Sequence, residues 1–442
     1  MKKRTLCLIL SALMLLASLA AVGCTQTDAP ATAGTDNPAA EVPKTGEKIT
    51  VILPRHEMDT IGFHEEKTRQ FEAETGIEVE LINMGWDQVA DRLTADLTAG
   101  GGSYDVIEFD NAWVEKFVHN DWLEPLDSYA SDEIMSGMVP GLLEKFSSGG
   151  HLYGITWNND TRFYMYNAAK LKEAGIDKAP ETWDEVIADA QVLKEKGLAN
   201  YAYVDCYAQE WAGANELLVA VQSFGGKLID ENGKPVMAND PKTKAAYQFL
   251  VDGINNGLID PASLTSNQEA ICNVFCMGDT FLFIQAWPSV YATANNPETS
   301  NIVDQIAVAD YALHAEGEEP LILTLPEAMA IPKTSQHKEA AWKYIEYMSS
   351  KELDKERCLA LGSLPIWTEL LTDADLLAKF PFWENFSKQI GYAKGLPNVL
   401  WYDEFVNILT IESQKILLGQ VSVDEGLASI QAQCEAAMKD YE

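Results

Sequence analysis

Residues 151–167 have the sequence HLYGITWNNDTRFYMYN, in which a polar cluster separates two apolar runs. The flanking residues are β-branched, aromatic or aliphatic and favour extended chain on both sides. The cluster carries Trp157, Asn158 and Arg162, and it predicts a passage of the backbone from one compact half of the molecule to another. A polar gap between two halves is where a ligand cleft is expected. An ordinary strand with a turn inside the cluster is the alternative interpretation.

Strand and helix patterns alternate before this stretch. Residues 48–53 (KITVIL), 77–82 (IEVELI) and 104–109 (YDVIEF) are typical of strands. Apolar residues at intervals of three and four between residues 86 and 97 predict a helix, and an earlier helix is expected to end at Gly76. This alternation builds a mainly parallel sheet, so we expect an α/β fold.

The chain after the stretch contains a second candidate passage. Residues 321–331 (LILTLPEAMAI) are too apolar for a surface loop, and Pro326 argues against one continuous central strand. We interpret this segment as the return crossing to the first half. A capping box at Thr182 and Glu185 predicts the start of a helix between the two crossings.

The composition limits the classes of partner. The chain has 442 residues, of which 47% are hydrophobic, so its length and core predict two domains or more. Its 67 acidic residues outnumber 32 basic ones and leave a formal net charge of -35. A surface of that sign repels phosphate polymers and anionic lipid headgroups. We therefore expect no nucleic-acid partner.

The N-terminus is typical of an export signal. Basic residues 2–4 precede an apolar run over residues 6–20. That run ends in AAVGC, which resembles the lipobox of bacterial lipoproteins, where the cysteine is diacylated and becomes the mature N-terminus. Residues 1–23 are therefore predicted to be a lipoprotein signal peptide, with lipidation at Cys24. A signal peptide with an incidental cysteine is the alternative interpretation.

Residues 24–46 are rich in Ala, Thr, Pro and Gly and contain no aromatic residue. Such a segment cannot bury enough apolar surface to become ordered. We expect a disordered tether between the lipid anchor and the folded body. The protein would then contact the membrane only through its anchor.

The five remaining cysteines are widely and irregularly spaced: Cys206, Cys272, Cys276, Cys358 and Cys434. An odd number cannot pair completely, and no histidine neighbours them, which argues against a zinc site. Buried free thiols are the expected state. A local pair between Cys272 and Cys276 is left open. We expect no metal and no cofactor.

Six segments, in order along nearly all of the body, resemble the extracellular solute-binding proteins of family 1. These are the maltose-binding-like receptors of bacterial ABC sugar importers. The combination of segments is specific, although each alone is a weak signal. They are residues 71–79 (FEAETGIEV), 104–129 (YDVIEFDNAWVEKFVHNDWLEPLDSY), 166–186 (YNAAKLKEAGIDKAPETWDEV), 224–234 (FGGKLIDENGK), 330–348 (AIPKTSQHKEAAWKYIEYM) and 416–427 (ILLGQVSVDEGL).

The resemblance implies the two-lobed periplasmic-binding-protein fold of type II. In this α/β fold each lobe is expected to have a mainly parallel sheet flanked by helices, and a hinge joins the lobes. The N-terminal lobe would comprise residues 47–156 plus 325–364. The C-terminal lobe would comprise residues 157–324 plus 365–442.

The resemblance also implies a function. The protein would be the substrate-binding component of an ABC importer on the extracellular face of the bacterial cell membrane. It would act as a monomer, capture a carbohydrate between its lobes by hinge closure, and deliver it to the transmembrane permease subunits. An oligosaccharide suits the aromatic richness of the chain, whereas a monosaccharide, a polyol and glycerol phosphate remain open.

Carbohydrate clefts need aromatic platforms for the C–H faces of sugars and polar groups for their hydroxyls. Five parts of the chain deliver such residues to positions expected to face the gap. The candidate ligand contacts are Arg55, His56, Asp110, Asn111, Trp113, Trp157, Asn158, Arg162, Trp211, Trp287, Trp367, Trp401 and Tyr402.

Trp287 is the strongest of these candidates. It follows a predicted strand and precedes Pro288, and its place in the order matches the family's stacking tryptophan. Three other candidates have structural alternatives: Trp113 could belong to the core, Arg162 could form an ion pair at the hinge, and Asp110 could cap the next helix.

Two other functions share these features. A tethered extracellular carbohydrate-active enzyme could use two carboxylates, but the nucleophile elbow, the zincin helix and the phosphate loop are all missing from the sequence. We therefore expect no catalytic residues. A sensory sugar-binding lipoprotein would share the fold and differ only in its partner.

Overall fold

The computed structural model describes residues 46–55, 59, 61–139 and 141–441. The predicted signal peptide, Cys24 and nearly all of the tether lie outside these residues, as does His56. Within the described ranges, no helix combines the length and the apolar character that a membrane span requires.

Twelve strands form the sheets of the described chain. They are β1 (Lys48–Pro54), β2 (Glu78–Met84), β3 (Val106–Asp110), β4 (Ser147–Ser148), β5 (His151–Leu152), β6 (Ile155–Asn158), β7 (Phe163–Asn167), β8 (Leu282–Ala286), β9 (Ile306–Val308), β10 (Ile322–Leu323), β11 (Glu327–Ala330) and β12 (Ala393–Lys394).

Sixteen α-helices of the described chain surround these sheets. They are α1 (Phe63–Thr75), α2 (Trp86–Thr98), α3 (Val114–His119), α4 (Asp132–Gly137), α5 (Ala168–Ala174), α6 (Trp183–Glu195), α7 (Trp211–Ser223), α8 (Pro241–Asn256), α9 (Gln268–Met277), α10 (Pro288–Ala294), α11 (Lys338–Met348), α12 (Lys351–Leu361), α13 (Ala374–Lys379), α14 (Trp383–Gln389), α15 (Tyr402–Leu417) and α16 (Val423–Lys439).

The largest sheet has five strands in the order β2-β1-β3-β11-β6. Strand β1 is parallel to β2 and β3, as the alternation of strands and helices predicted. Strand β11 lies between β3 and β6 and is antiparallel to both. The first residue of β11 therefore lies at the same edge of the sheet as the last residues of β3 and β6.

A second sheet has three strands in the order β8-β7-β9, and β7 is antiparallel to both neighbours. The expectation of a mainly parallel sheet in each lobe is wrong for this sheet. Strand direction is not encoded in the residues of a strand, since β7 and β8 are almost fully buried, as parallel strands would be.

Two local predictions about helix ends are confirmed. Helix α1 ends at Gly76, whose φ of 74° is left-handed and costs glycine little. Helix α6 begins with a complete capping box, in which the Thr182 side chain accepts from the Glu185 amide and the Glu185 carboxylate accepts from the Thr182 amide.

The chain passes from the five-stranded sheet to the three-stranded sheet over residues 158–163, between β6 and β7. An ordinary strand with a turn is therefore the wrong interpretation of this stretch. The hydroxyls of Thr161 and Thr324 lie 2.8 Å apart and are hydrogen-bonded. The Asn159 amide donates to the Pro365 carbonyl at 3.0 Å. These bonds join three distant segments of the chain.

The predicted return crossing is also confirmed. Leu323, on β10, accepts from the Arg162 amide at 2.8 Å, and its own amide donates to the Gln285 side chain on β8 at 3.4 Å. After Pro326 the chain enters the five-stranded sheet as β11. The segment therefore runs from beside the three-stranded sheet into the five-stranded one.

The five cysteines of the folded body are all buried and free, as predicted: Cys206, Cys272, Cys276, Cys358 and Cys434. Cys272 and Cys276 lie on α9, and both side chains belong to the core. Their state in the structure is that of thiols.

Candidate ligand-binding site

One wall of the candidate site is the edge of the five-stranded sheet. Glu327 begins β11 and lies in register with Asp110 at the end of β3 and with Asn158 at the end of β6. The Asn158 amide donates to the Glu327 carboxylate. Asp110 accepts from the Ala112 amide at 2.7 Å, so it caps the next turn and also faces the site. Three neighbouring strands thus place three polar side chains side by side.

The opposite wall consists of helix starts and two tryptophans. Trp287 follows β8, and its ring meets Phe283 edge to face at 5.5 Å. Trp211 begins α7, and its ring lies 5.8 Å from that of Trp113 and 5.3 Å from that of Tyr402. These contacts hold both indoles in place at the cavity. Because an indole offers a flat apolar face, this wall suits the C–H face of a ligand.

Arg162 connects the two walls at the crossing between the sheets. Its guanidinium donates to the Asp160 carboxylate at 2.7 Å and lies over the Trp287 ring, with Cζ 5.3 Å from the ring centroid. With its amide oxygen turned toward Arg162, Gln268 accepts from the guanidinium at 3.2 and 3.3 Å. Arg162 therefore forms the expected ion pair and also lines the site.

These residues enclose a cavity of about 270 Å³, which we call the first cavity. Its volume lies near the lower end of the range of about 300–1,000 Å³ typical of small-molecule sites. The residues that line it are Pro54, Arg55, Asp110, Asn158, Asp160, Arg162, Glu210, Trp211, Ala212, Asn215, Asn267, Gln268, Glu269, Trp287, Leu325 and Glu327.

A second cavity of about 720 Å³ shares Glu210 and Trp211 with the first. Helix α2 lines one side of it, and α15 lines another. Lys116 and Asp403 also line it and form an ion pair. Glu210 and Trp211 therefore line both cavities, which are neighbours in the structure.

Burial changes the proton affinity of acids at the site. The pKa of Asp110 rises to about 7, chiefly because its surroundings exclude water, and the nearby Asp160 carboxylate adds to the rise. Near the cavity, burial likewise raises the pKa of Asp205 to about 7 and the pKa of Glu216 well above its ordinary value. The carboxyl groups of Asp110 and Asp205 are therefore partly protonated near neutral pH.

Six of the predicted contacts line the first cavity: Arg55, Asp110, Asn158, Arg162, Trp211 and Trp287. Trp113 lines the second cavity and also packs against Phe117 of α3, so both interpretations of it hold in part. His56 and Cys24 lie outside the described residues.

The structure places the other five predicted contacts in the interior, outside both cavities: Asn111, Trp157, Trp367, Trp401 and Tyr402. Their predicted position at the cavity is wrong. Each was chosen for its residue type and its place after a strand or break, and in each the side chain points into a core.

Particular contacts explain these corrections. Trp157 is 1% exposed and packs between His64, at 4.7 Å, and Arg357, at 5.4 Å. The Trp367 indole donates to the Ser349 carbonyl at 2.8 Å. Trp401 packs on a neighbouring phenylalanine of α15. Each of these tryptophans packs against or hydrogen-bonds a partner inside the protein.

Two more corrections concern polar residues of the predicted set. The Asn111 amide donates to the Pro326 carbonyl at 3.4 Å and is buried. Tyr402 is 3% exposed and supports the Trp211 ring from behind. Both residues therefore contribute to the shape of the site without lining it.

Sequence reasoning missed several lining residues. Glu327 is an acid beside Pro326 in an apolar segment, and this contrast was a signal in the sequence. Only the antiparallel pairing of β11 brings Glu327 to the edge of the five-stranded sheet. Asn267, Gln268 and Glu269 form the start of α9, and the polar run before an apolar helix was their signal. Other missed lining residues are Asp160, Glu210 and Asn215.

Comparison with known proteins decides the family. Residues 60–355 match the model of the bacterial extracellular solute-binding protein family, which covers more than half of the chain. The chain belongs to this family. Its members are binding proteins, so this chain has a solute-binding role.

A putative binding protein of Brucella abortus is 25% identical over 406 residues, which cover 89% of this chain and 93% of that protein. The structure of the maltose-bound MalE3 of T. maritima matches with a TM-score of 0.80 and 24% identity, over 88% of this chain and 99% of that one. A solute-binding protein of Agrobacterium radiobacter, in complex with ribitol, matches with a TM-score of 0.78 and 22% identity, over 90% and 100%. These structural similarities confirm the two-lobed type II fold of this chain.

Proposed function

We propose that this solute-binding protein is the receptor of an ABC importer and that it captures a carbohydrate in the first cavity. One observation carries the proposal. Two indole rings, Trp211 and Trp287, face a cavity whose remaining wall offers carboxylates, amides and a guanidinium. Flat apolar faces combined with bidentate polar groups match the two kinds of surface that a sugar presents.

The relatives support a polyhydroxylated ligand. The two structures described above hold maltose and ribitol, a sugar and a polyol. A relative from Pyrococcus abyssi is named as a maltotriose-binding protein. The ligands of these proteins differ in length and ring content and share only their hydroxyl groups, so the class of ligand is the common element.

The second cavity supports an oligosaccharide as the ligand. It shares the lining residues Glu210 and Trp211 with the first. A single sugar ring would occupy the first cavity, and further rings would extend between α2 and α15. Trp211 lines both cavities, so its ring can stack on a sugar unit in either one.

The cavity walls support capture by hinge closure. Asp110 and Glu327 belong to the five-stranded sheet, whereas Trp211 and Trp287 follow segments beyond the first crossing. A ligand that contacts both groups stabilises the closed form over the open one. We propose lobes of residues 47–158 plus 325–364 and of residues 159–324 plus 365–442, with the first boundary moved from residue 156 to the end of β6. We also propose that the closed form delivers the ligand to the permease.

The proposed location is the outer face of the bacterial cell membrane. Family membership supports an extracellular role, and the lipobox-like sequence at residues 20–24 supports a lipid anchor on Cys24. The protein would act as a monomer, and its energy supply would come from separate ATP-hydrolysing subunits. Mass spectrometry of the protein from membranes would detect the acyl chains on Cys24.

A thermal-shift screen against monosaccharides, oligosaccharides and polyols tests the proposal. A ligand at about 100 times its Kd adds about 2.7 kcal/mol to the free energy of unfolding, so Tm should rise by a few degrees. The bound sugar should be recovered intact after incubation. Hydrolysed sugar would support the tethered enzyme instead, and a screen without any shift would refute carbohydrate binding.

A further inference from the structure

The first cavity is rich in carboxylates. Five of its lining side chains are acids (Asp110, Asp160, Glu210, Glu269 and Glu327), against two guanidinium groups on Arg55 and Arg162. Among the described lining residues, none is a lysine or a histidine. Neutral sugars need hydrogen-bond partners but do not require an excess of one charge. The imbalance therefore carries information about the ligand beyond its hydroxyl groups.

The buried guanidinium is already neutralised. Arg162 pairs with Asp160 at 2.7 Å, and their side chains are only 7% and 14% exposed. Arg55 differs, because it is exposed at the end of β1. Water screens a charge at such a position more strongly than a charge inside the cavity, and it screens the exposed Glu269 in the same way. An anionic ligand would thus find no uncompensated cation in the interior.

Three acids of the lining, Asp110, Glu210 and Glu269, take part in no ion pair among the described residues. The donors that contact them are neutral. Asp110 accepts from the Ala112 amide, and Glu210 accepts from the Cys206 thiol at 2.7 Å. No ion pair in the described part of the chain therefore neutralises Glu210 or Glu269, whereas Asp110, with its pKa of about 7, carries only part of its negative charge near neutral pH.

Two helix starts reduce this excess but do not reverse it. Helices α7 and α9 begin at the cavity, and each helix N-terminus is equivalent to about half a positive charge. Glu210 precedes the first residue of α7, and Glu269 lies in the first turn of α9. A glutamate therefore lies at the N-terminus of each helix, and its full negative charge exceeds the partial positive charge of that helix end.

A buried acceptor also faces the cavity. Asn215 lines the cavity and is 4% exposed, and its side-chain oxygen has no hydrogen-bond partner among the described residues. An acceptor left buried in this way costs roughly 1–3 kcal/mol unless a ligand supplies a donor. A protonated amine is the strongest donor that a saccharide can carry.

We propose that the first cavity binds a saccharide that carries a protonated amine and rejects sugar acids and sugar phosphates. This inference rests on the proposed function and narrows it to a ligand class. The ammonium group would lie among Asp110, Glu210 and Glu269, and the indole faces would hold the sugar ring. Of the three acids only Asp110 is buried, and an ammonium group beside it would offset the unfavourable burial of its carboxylate.

Isothermal titration calorimetry on a matched set of probes tests the inference. The probes are glucosamine, glucose, N-acetylglucosamine and glucuronate, together with the β-1,4-linked dimers of glucosamine, glucose and N-acetylglucosamine. The amine-bearing probe should bind at least about tenfold more tightly than its neutral and acetylated counterparts. This preference should shrink when salt rises from about 0.05 M to about 0.5 M.

The variant Glu269→Gln removes one of the three acids. It should weaken binding of the amine probe about tenfold and change binding of the neutral probe less than about twofold. The exposed Glu346 on α11 provides the matched control, since Glu346→Gln removes a charge from a residue that does not line the cavity. Retained affinity for the neutral probe shows that a variant is folded.

The outcomes separate this inference from the proposed function. Equal or tighter binding of the neutral or acidic probes overturns the amine preference and leaves carbohydrate binding intact. Absence of binding by every probe in the set and in the thermal-shift screen overturns both. A preference for the amine that Glu269→Gln does not reduce overturns the proposed position of the ammonium group.

Discussion

The two walls of the first cavity are built differently. The polar wall consists of Asp110, Asn158 and Glu327, which neighbouring strands hold in register at one edge of a sheet. The aromatic wall consists of Trp211 and Trp287, which stand at helix starts and lean on other rings. A ladder of backbone hydrogen bonds fixes the first wall, whereas packing fixes the second. The comparison indicates that the stability of the protein and its affinity for a ligand depend on different residues. Residue type alone does not separate the two sets, because both contain aromatic or polar side chains near the first cavity.

The largest expected effect comes from breaking the support of the polar wall. Trp157 lies on β6 directly before Asn158 and is 1% exposed, so Trp157→Ala should lower the free energy of unfolding by about 3–5 kcal/mol. Urea denaturation measures this loss. Trp287→Ala is the matched control, because Trp287 is only half-buried and should lose clearly less stability. Equal losses in both variants would contradict the division between the walls.

The second prediction concerns pH and the polar wall. The pKa of Asp110 is about 7 in the folded protein and about 3.9 in an unfolded chain. The folded state therefore binds the Asp110 proton more tightly than the unfolded state does. This proton stabilises the fold fully below pH 4, and the stabilisation is lost as pH rises toward 7. Between pH 5 and pH 7 the wild type should lose roughly 2–3 kcal/mol more than Asp110→Asn.

Chemical denaturation across this pH range checks the difference. Glu346→Gln serves as the control, because an exposed acid on α11 should leave the pH dependence of the wild type unchanged. A parallel loss of stability in wild type and Asp110→Asn would show that Asp110 is ionised in the folded protein throughout.

The third prediction tests the aromatic wall. Trp287→Ala should weaken carbohydrate binding by about 30-fold, or about 2 kcal/mol, because a tryptophan at the centre of a binding site is typically a hot spot. Quenching of tryptophan fluorescence by a sugar from the screen measures Kd. The buried Trp401 is the matched control, and Trp401→Phe should keep its affinity while losing some stability. Equal losses of affinity in Trp287→Ala and Trp401→Phe would contradict the prediction that Trp287 contacts the ligand and Trp401 does not.

The sequence predicted the course of the chain better than the direction of its side chains. The crossing at residues 158–163 and the return at residues 321–331 were visible because polar and proline residues interrupt apolar runs. Such interruptions are local, and the structure confirms both crossings. The helix ends at Gly76 and Thr182 were equally local.

Side-chain direction depends on partners that are distant in the sequence. Trp157 and Asn158 are adjacent and were predicted together, yet alternate residues of a strand face opposite sides, so only Asn158 reaches the cavity. Trp367 and Trp401 were chosen by residue type, and their partners in the core could not be foreseen. Glu327 needed the antiparallel pairing of β11, which no single segment encodes.

The smallest expected effect lies where the two walls join. The hydroxyls of Thr161 and Thr324 share a buried hydrogen bond between the outgoing and returning crossings. Thr161→Val removes one partner and should cost about 1–3 kcal/mol, because the Thr324 hydroxyl is left buried without it. The double variant Thr161→Val/Thr324→Val should recover part of this cost, because no Thr324 hydroxyl is left unpaired, but it still removes the Thr161 donor from the Asn159 side chain at 2.7 Å. Both variants should keep sugar affinity within about threefold, because neither threonine lines the cavity. If the single variant instead changes affinity more than stability, this bond controls closure of the two walls rather than their cohesion.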